Sequence, residues 1–290
     1  MENTRGSVLM VAAMAAFAME DMFVKSAARE VSVGLVLMLF GLGGAAVFAC
    51  LIKGRGQRLL HPALTSAPML TKLSFEVVGR LGYTLGIALT PLSNASTILQ
   101  ATPLVVVAGA ALVFSERVDA KRWFAIGIGF LGVLIVLRPG LDGFVPAALW
   151  TVLGMFGFAG RDLATRACPP VLSNFQLSLY GFAMLIPTGA LIMVITGGTS
   201  GALDVVALRD VAGAVCFGSF AYWALTKAMR MGEVSVITPF RYTRLIFALI
   251  LGAMVFGERP DGAMILGSVL IVASGLYTLL EQRRARRSLA

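Results

Sequence analysis

The chain has 290 residues, 58% hydrophobic and 13% charged, with a mean hydropathy of +0.87. Such a composition excludes a soluble domain and places the chain among integral membrane proteins. The net charge of +9 would suit a nucleic-acid partner if it formed one basic surface, but the basic residues lie in short loops and at the ends of apolar runs.

At about 20 apolar residues per crossing, the sequence predicts ten helices, at roughly 6–25, 33–52, 67–89, 92–114, 120–137, 144–165, 172–197, 207–229, 234–256 and 262–281. They divide into halves of five, residues 1–141 and 142–290, with connections too short for a soluble domain. Arg5, Lys53, Arg55, Arg58, Arg117, Lys121, Arg122, Arg161, Lys227 and the Arg283 to Arg287 tail fall on one side of this arrangement. The positive-inside rule then puts both termini in the cytoplasm, with the basic tail at the anionic leaflet of a bacterial-type inner membrane.

In the first helix, Ala16-Phe17-Ala18 resembles a small-residue cleavage site. The region before it is poorly basic and its counterpart in the second half is kept, so the helix is expected to stay. Asp21 and Lys25, and likewise Asp162 and Arg166, are spaced to pair along one helix face near a membrane boundary. The second helix carries Gly41, Gly43 and Gly44, which permit close backbone approach. The single His, at 61, has no acidic or Cys neighbours, and Cys50, Cys168 and Cys216 lack metal or redox spacing. With no phosphate loop and no nucleophile elbow either, no catalytic residue, metal or cofactor is expected.

The third helix is the most informative. Lys72, Glu76, Arg80 and Tyr83 share one helical face. Lys72 is near the cytoplasmic end and can snorkel, whereas Arg80 lies near the midplane, where an unpaired charge costs at least about 2.5–3.5 kcal/mol. Two roles are open for Arg80: a pair with Glu76 that holds the bundle, or a cation lining a water-filled cavity. Glu76 could carry a proton or serve in an ion pair. Ser96 and Gln100 share a face of the fourth helix, with Thr238 and Tyr242 at the matching positions of the ninth, so polar groups recur at matched depth. Pro103 and Pro239 free carbonyls there and permit bends. Arg244 is deep in the ninth helix, and among the acids only Glu76 approaches the two deep arginines in this reading. Glu20 and Asp21 are placed nearer the outer surface. The fifth and tenth helices, with Gly127, Gly129, Gly132, Gly267 and Gly275, are read as scaffold.

The halves repeat. Glu116-Arg117-x-Asp119 falls without gaps on Glu258-Arg259-x-Asp261, and Phe17-Ala18-x-x-Asp21 matches Phe158-Ala159-x-x-Asp162. An internal repeat defines the whole fold. With five helices per half the second must begin on the opposite side, so the repeats are inverted, the arrangement through which secondary transporters alternate access to a central site.

The five-plus-five layout and the apolar runs ending in Phe114-x-Glu116-Arg117 and Phe256-Gly257-Glu258-Arg259 resemble the drug/metabolite transporter superfamily. Within it the chain is similar to ten-helix exporters with paired EamA-type domains, and to the branch exporting aromatic and other hydrophobic amino acids. The second copy departs from the first in having Arg244-Leu245 where Thr102-Pro103 stands. The resemblance implies a non-enzymatic transporter, and with two deep arginines the expected substrate is an amino acid or related metabolite. In this reading Arg80 and Arg244 attract its carboxylate, Ser96, Gln100, Thr238 and Tyr242 orient it, and Tyr83 with Trp223 wall its apolar part. A multidrug exporter of organic cations is the alternative, and it would want a midplane acid on the first helix. The partners expected are this small molecule and the lipid bilayer, without nucleic acid, and a monomer would suffice.

Overall fold

The structure, a computed structural model, describes residues 2–113, 118–141, 144–197, 203–231 and 237–287, without some side chains such as those of Arg166 and Thr238. Glu116 and Arg117 of the repeated motif lie outside the described residues. The described residues are helical throughout: α1 (Glu2–Glu30), α2 (Val33–Gly54), α3 (Ala67–Leu89), α4 (Leu92–Leu99), α5 (Thr102–Val113), α6 (Ala120–Leu137), α7 (Ala148–Arg166), α8 (Asn174–Thr196), α9 (Val205–Met231), α10 (Thr243–Phe256) and α11 (Gly262–Arg287). The segments Pro62–Thr65 and Thr238–Tyr242 form short 3₁₀ turns.

Eight spans, that over α4 and α5 (Leu92–Val113) among them, are long and apolar enough to cross a membrane. The other two long helices, α3 and α7, have 23 and 19 residues. Their hydropathy is diluted by Lys72, Glu76, Arg80, Arg161 and Asp162, and these two helices pack on each other. The chain is therefore a multi-pass membrane protein of ten spans whose ionic residues turn inward. Its outer surface fits this, with Leu112, Val194, Phe124 and Met254 all strongly exposed, an apolar surface that water would not support.

Packing follows a two-fold pattern. The α1 to α9 contact has its counterpart in α7 to α3, and α2 to α9 in α8 to α3. The pairs α2 with α8 and α6 with α11 map onto themselves. This is the inverted five-plus-five repeat, seen as helix pairing. The closest crossings use glycine. A Cβ at Gly82 would come within 2.5 Å of Trp150 O and Gly154 N, and Gly34 and Gly189 are each as close to the other's carbonyl. Gly41 and Gly44 seat Leu185 and Phe182, and Gly132 faces Gly267, as close packing requires.

The repeated Glu-Arg-x-Asp motif begins to make sense at the next helix start. Asp119 Oδ1 accepts from Arg122 N at 3.2 Å and Asp261 Oδ1 from Met264 N at 2.9 Å. Each aspartate thus caps a helix N-terminus. Asp261 also binds the side chain of Arg138, and that hydrogen bond holds its carboxyl below the usual aspartate range.

Three of the boundaries that differ from expectation bear on the site. Helix α1 reaches Glu30 rather than residue 25, which draws Glu20 and Asp21 into the span, where both are 2% exposed. The fourth span breaks at Gln100–Ala101. Pro103 lacks an N–H to continue the ladder, and Thr102 Oγ1 instead satisfies Leu99 O at 2.6 Å. The ninth begins as the 3₁₀ turn around Pro239 before α10 starts at Thr243. Broken helices at corresponding places in both halves characterise the sites of transporters with inverted repeats.

Gly82→Ala is expected to lower stability by about 1–3 kcal/mol, the cost of overpacking. Gly127→Ala, with nothing within 4 Å of the added carbon, should leave it unchanged or slightly raised. Thermal unfolding of the two purified variants in detergent checks this.

Candidate substrate site

Two adjacent acids on α1 organise the middle of the bundle. Asp21 Oδ2 accepts from Arg244 NH2 at 2.6 Å and from the Tyr83 hydroxyl at 2.9 Å. Glu20 Oε1 accepts from Arg80 NH1 at 3.0 Å. Helices α1, α3 and α10, from both halves, are thereby joined at one buried locus. Arg244 is the second residue of α10, where the positive end of the helix dipole disfavours a cation. Asp21 offsets that, and the guanidinium also faces the rings of Phe17 at 5.0 Å and Tyr83 at 5.6 Å, both favourable contacts. Arg80 sits between Phe40 and Phe158, at 5.7 and 5.8 Å.

A second cluster continues from Arg80. Glu76, 1% exposed, is surrounded by Lys72 at 3.4 Å, Arg161 at 3.5 Å and Arg80 at 3.8 Å. Arg161 in turn holds Asp162 at 2.8 Å. Three cations thus gather around one carboxylate, the geometry of an ion-pair cluster.

These contacts correct three expectations. The deep arginines are not left to Glu76, since Glu20 and Asp21 are their nearest partners. Lys72 does not snorkel but is 1% exposed. Asp21 does not pair with Lys25, which turns to the carbonyls of Ile87 and Thr90. The expected pair of Asp162 with Arg166 lies outside the described residues, as the side chain of Arg166 does; Asp162 accepts from Arg161. The locus is accordingly not biased toward positive charge: Glu20, Asp21, Glu76 and Asp162 face Lys72, Arg80, Arg161 and Arg244. The signal for Glu20 and Asp21 was present in the uninterrupted helical run to Glu30, which places them deeper than a span ending at 25 would.

The other predicted residues are distributed around this locus. Ser96 is buried beside Tyr83. Gln100 Nε2 donates to Arg241 O at 3.3 Å, tying α4 to the 3₁₀ turn. Tyr242 lies with its hydroxyl against Gly275 of α11, a scaffold contact rather than one with the arginines. Trp223 packs with Phe220 and belongs to the apolar cluster around Phe17. The side chain of Thr238 lies outside the described residues. Among the described residues no group of three or more His, Cys, Asp or Glu could hold a metal ion.

Hydrogen-bonding capacity is left over at the centre. Glu20 Oε2, Arg80 Nε and Arg244 Nε are all buried without a hydrogen-bond partner. The locus therefore offers an acceptor on an acid and donors on two arginines that no hydrogen bond uses, Arg80 Nε being only in ion-pair range of Glu76, an arrangement able to take an ammonium at one point and a carboxylate at another.

The chain matches the EamA-like transporter family over residues 4–138 and again over 145–280. It is 27% identical to a riboflavin transporter of Rhizobium johnstonii, over 75% of this chain and 72% of that protein. It is 25% identical to an S-adenosylmethionine uptake transporter of Rickettsia prowazekii, over 72% and 70%. A pseudopaline exporter of Pseudomonas aeruginosa is 24% identical over 93% and 94%. A solved crystal structure superposes with a TM-score of 0.63 at 17% identity, covering 94% of this chain and 98% of that one, a likeness of fold alone. With both halves of the chain matched, the protein belongs to the EamA-like transporter family.

Proposed function

We propose that the protein is an inner-membrane secondary transporter that exports amino acids or related zwitterionic metabolites by alternating access, with both termini cytoplasmic. The observation that carries this reading is the buried set of matched charges with capacity to spare: Glu20 Oε2 on one side, Arg80 Nε and Arg244 Nε on the other. Separating two buried charges is costly unless each finds a new partner. A zwitterion supplies both at once. Its carboxylate takes a place on Arg244 beside or instead of Asp21, its ammonium takes a place on Glu20, and the site stays electrically balanced. Ser96, Gln100 and Thr238 orient the polar end, and Tyr83 with Trp223 wall an apolar side chain; Tyr242 acts through packing on α11. The Rickettsia relative's substrate, S-adenosylmethionine, has an amino-acid end by its own name, which supports this class. One relative is named for uptake and another for export, so export is a proposal.

A second reading, export of organic cations, is favoured by one observation: α1 does carry buried acids. Against it, each acid already holds an arginine, so a cation without a carboxylate would displace one buried arginine and leave it unmatched.

Uptake of labelled amino acids into proteoliposomes, with a quaternary ammonium dye as comparator, tests the two. Saturable uptake of a neutral amino acid is expected, reduced at least tenfold in Arg244→Gln. Transport of the dye alone would replace this reading with the other. Stability and transport should also separate. Arg244→Gln leaves Asp21 unmatched and is expected to cost about 3–5 kcal/mol, most of it recovered in Asp21→Asn/Arg244→Gln by thermal unfolding. Transport should remain lost in the double variant, whereas a purely structural pair would regain both.

A further inference from the structure

The turn between α10 and α11 reaches across to the first half. Glu258 Oε1 accepts from Leu92 N at 2.6 Å, and Oε2 accepts from Ser93 N at 2.9 Å and from Ser93 Oγ at 2.6 Å. These are the first amides of α4, so a carboxylate from the second half caps a helix of the first. Lys25 Nζ lies 3.7 Å from Glu258 Oε1 and donates to Ile87 O at 3.0 Å and to Thr90 O. It thereby joins the end of α3 to the same point. Phe256 lies under Lys25 and Arg29, at 5.3 and 4.6 Å.

The backbone is shaped for this contact. Gly257 has φ +66°, and a Cβ at Gly252 would come within 2.5 Å of Glu258 Oε2. Both positions let the carboxylate fold back over the last turn of α10, where Glu258 N donates to Gly252 O at 3.0 Å. The helices gathered here are those that carry the candidate site: Asp21 on α1, Tyr83 on α3, Ser96 on α4 and Arg244 on α10. The clasp therefore lies across one end of the site.

We propose that the Glu258 clasp is the gate that closes the site from the face where α1 ends and α4 begins, and that its release opens that face. Its bonds run between side chains and the backbone groups at helix ends that the helices themselves leave unpaired, which water can satisfy once the helices part. Arg29 and Glu30 at the end of α1 and Gly257 and Arg259 on the turn are exposed, so the clasp lies next to the surface it would be released into. The inference depends on the protein being a transporter of this family and not on which substrate it carries.

The test needs no substrate. In a background with Cys50, Cys168 and Cys216 replaced by Ala, Ser96→Cys reports access to the site through its labelling by a membrane-impermeant maleimide in vesicles of either orientation. Labelling from the Glu258 face is expected to be slow. Adding Glu258→Gln should raise that rate at least tenfold and lower the rate from the opposite face, as alternating access requires. An unchanged rate, or a rise not matched by a fall at the other face, would make the clasp a structural tie and overturn the gate. Should Glu258→Gln fail to insert, Lys25→Met carries the same test with the same two outcomes.

Discussion

The arrangement depends on placing ionised side chains where no solvent can stabilise them. Glu20 and Asp21 are neighbours on one turn of α1, and between them they hold Arg80 of α3 and Arg244 of α10. A guanidinium or carboxylate in hydrocarbon must be matched, so the position of α1 fixes where two helices, one from each half, can lie. The surrounding features serve that constraint. Glycines at the α3 to α7 crossing bring Arg161 close enough to complete the cluster around Glu76, and Phe40, Phe158 and Phe17 supply aromatic faces that a delocalised cation tolerates.

The same constraint makes the locus capable of exchange. Ion pairs buried in a bundle are weak contributors to stability when intact and expensive when broken, which suits a site where a visiting molecule must take over a partner without leaving a charge behind. The broken fourth span and the 3₁₀ entry to α10 lie beside this locus. Irregular backbone is tolerated in a membrane where it is buried in protein or lines a cavity, and the two breaks are tied to each other by Gln100 Nε2 donating to Arg241 O. The inverted repeat supplies the mechanics, since helix pairs related by the two-fold can exchange their packing between two equivalent arrangements. The clasp at Glu258 then gives one of those arrangements a specific closing contact.

Much of this was legible in the residues. The apolar runs located the spans to within a few positions, and the doubled Glu-Arg-x-Asp motif announced two related halves. Its aspartates proved to be helix caps, a role the spacing before a helix start encodes. Arg80, Glu76, Tyr83 and Arg244 were singled out because charged or polar groups inside an apolar run demand partners. What could not be read was which partners. Asp21 and Lys25 have the spacing of a local pair, yet each finds a better-placed group about 60 residues away or more, because tertiary packing brings Arg244, Tyr83 and the end of α3 nearer than one helical turn can. Tyr242 matches Gln100 along the repeat, but the turn at Pro239 rotates it toward Gly275. Glu258 stands in the doubled motif, but nothing local shows that its carboxylate reaches the start of α4.

The account's central claim is that the buried pairs are exchanged with both ends of a zwitterion. The most direct measurement compares the thermal stabilisation of the purified protein by an amino acid with that by its decarboxylated amine and its deaminated acid. The claim predicts saturable stabilisation by the intact amino acid, with each truncated analogue at least tenfold weaker in apparent Kd. An amine that stabilises as well as the amino acid would contradict it, and would show that the arginines hold the bundle together without reading the substrate.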